Sequence, residues 1–78
     1  WPFLRMGKAR FMSERYQEAE RDFASVTDIV PAYYGGWLKR AESLLALGRR
    51  EEARECAERA ERLNPYDFRI RNIRKLLK

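Results

Sequence analysis

Residues 37–65, WLKRAESLLALGRREEARECAERAERLNP, read as two helices joined at Leu47-Gly48-Arg49. Shifted back by 34 residues, the same frame fits the chain before it. Pro31 then falls under Pro65, Ala19 under Ala53, Glu18 under Glu52, Leu4 under Leu38 and Gly7 under Ala41. A helical hairpin used twice, with a further helix behind it, accounts for the whole chain.

The spacing predicts a first helix over residues 2–13, with Pro2 near its start, where a missing N–H costs little. Phe3, Met6, Gly7 and Arg10 recur at three- and four-residue steps and define one face. Glu14-Arg15 makes the turn, although a glycine would end the helix better, as Gly48 does in the second hairpin. Residues 16–30 form the second helix, with Ala19, Phe23, Val26 and Ile29 inside. Glu18, Glu20, Arg21 and Asp22 are expected outside. Pro31 closes this helix, because the residue before a proline avoids the helical region.

The third helix opens on Tyr33-Tyr34-Gly35-Gly36. Each glycine costs about 1 kcal/mol in a helix interior relative to alanine. The pair is read as a frayed first turn, in preference to a point where something approaches the backbone. Trp37, Ala41 and Leu44 form the inner face. The fourth helix, residues 50–63, turns a small-residue face of Ala53, Ala57 and Ala60 inward. Glu55–Arg59 and Glu58–Arg62 stand as i,i+4 pairs on its outside. Asp67 can cap a fifth helix over residues 68–77.

A 34-residue helix–turn–helix period resembles the tetratricopeptide repeat. Trp37, Ala41, Leu44, Ala53, Ala57, Ala60 and Pro65 occupy the family's slots in the second repeat. Phe3, Met6, Gly7, Ala19, Phe23, Val26 and Pro31 do so in the first. Arg10, Arg40 and Ala57 depart from the pattern: an aromatic, a leucine and a large residue are usual there. The resemblance implies an all-α fold of five helices, with antiparallel helix-turn-helix repeats stacked as a short right-handed superhelix. It implies a single domain over residues 1–78: repeat 1 about 1–33, repeat 2 about 34–67, and a capping helix about 68–78. Trp37 is expected to be buried between the hairpins.

In this family the first helix of each hairpin lines a concave groove. Carried onto this chain, the groove slots hold Leu4, Lys8, Phe11 and Met12, then Leu38, Glu42 and Leu45, with Arg69 and Asn72 from the last helix. The expected function is that of a scaffold or adapter holding a peptide or helix of a protein partner there. Cover by another part of the parent protein and self-association of the fragment remain alternative uses of the same apolar surface.

The net charge is +5, from 17 basic and 12 acidic residues. Its excess is concentrated in FRIRNIRKLLK, residues 68–78, which contains no acid. RNA or other polyanion binding through that helix is the alternative function. It is disfavoured, because aromatic rings do not interleave with the arginines as single-strand binders require. No enzyme is expected. There is no histidine, Cys56 has no such partner, and no cofactor or metal motif is present. One cysteine makes no internal disulfide. No apolar run approaches a membrane span, and an intracellular setting is favoured. A start at Trp1 reads as a piece cut or processed from a longer protein.

Overall fold

The structure is a computed structural model that describes residues 1–77. Five helices follow in order: α1 (Pro2–Met12), α2 (Tyr16–Ile29), α3 (Tyr34–Ala46), α4 (Arg50–Leu63) and α5 (Phe68–Leu76). Each packs against the next, so α1–α2 and α3–α4 are the two hairpins and α2–α3 is the seam between them. The sequence boundaries hold to within a residue or two.

The repeat is visible in single hydrogen bonds. After α1, the Arg15 amide donates to the Arg10 carbonyl at 2.8 Å; after α3, Arg49 donates to Leu44 at 2.9 Å. These five-residue closures require a left-handed residue between, and Glu14 (φ 63°) and Gly48 (φ 79°) supply it at equivalent positions. A side chain in that conformation costs roughly 1–2 kcal/mol. Glu14→Gly should therefore stabilise the protein, by a few tenths to about 1 kcal/mol after the extra freedom glycine gives the unfolded chain. Nothing lies within 4 Å of a Cβ built on Gly48. Gly48→Ala should thus cost about 1 kcal/mol through backbone strain alone. Thermal unfolding of both variants checks this, and a Gly48→Ala protein as stable as the parent would refute it.

The main core joins Leu38, Ala41 and Leu44 of α3 to Ala53, Cys56, Ala57 and Ala60 of α4 and to Ile70, Ile73 and Leu77 at the C-terminal end. The first hairpin closes on Gly7, Ala19, Phe23 and Val26. Ile29, expected inside, is exposed, as are Phe3 and Met6 at the outer face of the stack, where no described element packs beyond α1.

Packing between the helices corrects further expectations. Gly35 and Gly36 are buried within α3 rather than frayed. A Cβ on Gly36 would come within 3.1 Å of both Val26 and Thr27, so the glycine lets α3 approach α2 closely. A Cβ on Gly35 would strike the Tyr33 ring at 2.5 Å.

Glu20 and Asp22, expected outside, are only 8% and 6% exposed. Asp22 accepts two bonds from Arg10, at 2.9 and 3.1 Å. Glu20 accepts from Arg40 at 3.3 Å, and Arg40 also donates to Thr27 Oγ1 at 3.2 Å. The two arginines that depart from the family pattern therefore pair with the two buried acids. A buried carboxylate needs such a partner, since burying it unpaired is very unfavourable.

Trp37 is half-buried rather than enclosed. Its Nε1–H donates to the Pro31 carbonyl at 2.8 Å. The guanidinium of Arg59 lies 4.8 Å from the ring centroid and that of Arg40 lies 5.3 Å away. These are cation–π distances. Arg59 is thus engaged with the ring, and neither Glu55–Arg59 nor Glu58–Arg62 forms an ion pair among the described residues.

Candidate functional site

The residues assigned to the groove separate into distinct environments. Lys8, Phe11 and Met12 of α1 surround a shallow pocket of about 240 Å³ with Lys39 of α3, and the buried Phe23 forms its floor. Helical spacing puts Lys8, Phe11 and Met12 on one face, because residues three and four apart are neighbours. Phe11 is half-buried and held edge-on against Tyr16, with ring centroids 5.1 Å apart. Met12 is 86% exposed at the rim. Lys39 Nζ sits 3.5 Å from Glu42 Oε1, so the rim carries two ammonium groups, one of them partly neutralised.

Lys39 is not among the groove residues assigned from the sequence. Lysine is usually solvated, and only the fold brings it to the same pocket as Lys8.

Leu4 lies elsewhere. It lines an apolar pocket of about 250 Å³ with Trp1, Pro2 and Phe3 and with Val26, Ile29 and Val30 at the end of α2. The Trp1 ring leans on Tyr33, 5.1 Å between centroids, and so ties the start of α1 to the start of α3.

Leu38 is a correction. Its exposure is 0%, and it belongs to the core cluster that includes Ile70 and Ile73 of α5. Docking α5 against α3 converts a nominal groove position into an interior one. Leu45 is half-buried against the same cluster.

Arg69 and Asn72 are exposed on α5, but Arg69 is drawn back to its own N-cap. Its Nη2 lies 2.7 Å from Asp67 Oδ2, and its amide donates to Asp67 Oδ1 at 2.9 Å. These bonds from Arg69 hold the Asp67 carboxyl down to about 2. A depressed carboxyl stabilises the folded state above the ordinary aspartate range, and that contribution disappears as pH falls toward 2.

The remaining chemistry is sparse. Cys56 is buried, and desolvation raises its pKa, which keeps the thiol protonated and unreactive. Among the described residues, no helix is long and apolar enough to cross a membrane.

A paired helical hairpin on a 34-residue frame is the architecture of a helical-repeat protein. The family comparison agrees: the tetratricopeptide repeat model matches residues 34–77, more than half of the chain. The chain belongs to the tetratricopeptide repeat family. Repeats of this family generally mediate protein–protein interaction and typically serve as non-enzymatic scaffolds. No curated protein matches the chain.

Proposed function

We propose that the chain is one helical-repeat domain that holds a peptide segment of a protein partner across α1 and α3, centred on Lys8, Phe11, Met12 and Lys39. The observation that carries this reading is the pocket itself. Two lysines from different repeats flank an aromatic floor, beside a methionine that contributes little to the fold. Methionine adapts to irregular apolar partners. The lysines favour a carboxylate next to the inserted apolar side chain. Glu42 joins this surface through its ion pair with Lys39, whereas a ligand would have to run further, along α3 and onto α5, to reach Leu45, Asn72 and Arg69; Leu38 supports α3 from the core.

Selection from a random peptide library against the intact chain tests the idea. Selected peptides should carry a large apolar residue flanked by Asp or Glu. Met12→Glu should weaken them by roughly tenfold or more. Circular dichroism should stay unchanged, because an exposed substitution usually costs little stability. Peptides that bind the Met12→Glu protein as tightly as the parent would place recognition elsewhere.

A further inference from the structure

We propose that the cleft between α4 and α5 is a second protein-contact site, one that takes an acidic segment of a partner. The cleft measures about 370 Å³ and is lined by Arg54, Glu61, Arg71, Arg74, Lys75 and Leu77. Four cations thus face one carboxylate. Arg74 is paired with that carboxylate, and Arg54 Nη2 donates to the Leu77 carbonyl at 2.6 Å. Arg71 and Lys75 have no carboxylate within ion-pair distance among the described residues. Each arginine carries five N–H donors, so even the engaged ones keep several free. Lys78, the last cation of the basic stretch 68–78, lies outside the described residues.

This cleft is separate from the pocket on α1 and α3. On α5 the stripe Ile70, Ile73 and Leu77 faces the core. Arg71, Arg74 and Lys75 flank that stripe on one side, while Arg69, Asn72 and Leu76 flank it on the other. An anion bound among Arg71, Arg74 and Lys75 therefore does not compete for the pocket.

The lining favours a protein ligand. The aliphatic stems of the arginines and lysine make apolar walls beneath the charged heads. A carboxylate on a short methylene stem, as in glutamate, matches both parts, and guanidinium groups bind carboxylates with two parallel bonds. Nucleic acid suits the cleft less well. No aromatic ring lines it, so unstacked bases would find no platform.

The experiment measures fluorescence anisotropy of a labelled oligoglutamate peptide against the intact 78-residue chain. An oligoglutamine peptide is the neutral control, and a single-stranded oligonucleotide of equal charge is the competitor. The oligoglutamate should bind at low salt and weaken as salt screens the contact. Arg71→Glu with Lys75→Glu should reduce affinity by roughly tenfold or more, and Arg71→Gln with Lys75→Gln by less. Met12→Glu should leave it unchanged, which separates this site from the pocket on α1 and α3. Three results would overturn the inference. One is oligoglutamate binding that survives the double glutamate variant. Another is equal loss through Met12→Glu. The third is an oligonucleotide that binds more tightly and is lost through the same double variant, which would make the cleft a nucleic-acid site.

Discussion

Leu38→Asp should leave the chain unfolded. Leu38 has no exposed surface and sits where α3 meets the α4 and α5 side of the core. Removing a buried leucine side chain alone costs about 2–5 kcal/mol. An aspartate there must also be buried without a partner, or take up a proton to avoid it, and either adds several kcal/mol. Stabilities run at roughly 0.05–0.15 kcal/mol per residue, so a chain of this size holds only about 4–12 kcal/mol in total. The loss is comparable with the whole. Circular dichroism should show little helix at room temperature, whereas Leu38→Met, which conserves volume, should cost less than about 1.5 kcal/mol. A Leu38→Asp protein that keeps its helices would mean that α5 does not cover this position and that Leu38 lies in an open groove.

The same residue shows what the sequence could and could not reveal. The 34-residue frame located all the helices, because prolines, a glycine turn and small residues at the crossings act locally and leave a periodic trace. Asp67 was recognisable as a cap for the same reason, and its carboxylate does accept the Arg69 amide. What the frame could not reveal depends on contacts between elements. Leu38 reads as a groove residue until α5 is placed. Glu20 and Asp22 read as a solvated face until Arg40 and Arg10 arrive from neighbouring helices. The slots one repeat after Arg10 and Asp22 hold Leu44 and Cys56, both in the core. The first hairpin thus keeps an ion pair where the second keeps apolar side chains. The charge of Arg10 reads only as a departure from the family pattern because its partner is 12 residues away on another helix. Of the groove assignments, Lys8, Phe11 and Met12 do share one pocket. Lys39 joins them only through the fold.

The largest loss expected from a single truncation in the first hairpin is at Phe23. The ring is wholly buried between α1 and α2, and Phe23→Ala should destabilise by about 3–5 kcal/mol. The reason Phe23 fits also explains Gly7. A Cβ on Gly7 would stand 2.6 and 2.9 Å from the ring's Cε1 and Cδ1 atoms, closer than carbon atoms tolerate. The ring occupies the space that a side chain at position 7 would need. One repeat later the equivalent pair is Ala41 and Ala57, where a small residue faces a small residue and alanine is accepted at both. Gly7→Ala alone should therefore cost about 1–3 kcal/mol through overpacking, less the gain of about 1 kcal/mol that alanine brings inside a helix. In the Phe23→Ala background the obstruction is gone, so the same change should be neutral or stabilising. Urea unfolding of the parent, the two single variants and the double variant measures this coupling directly. If Gly7→Ala destabilises both backgrounds equally, the Phe23 ring does not pack on Gly7, and the crossing of α1 with α2 has been placed wrongly.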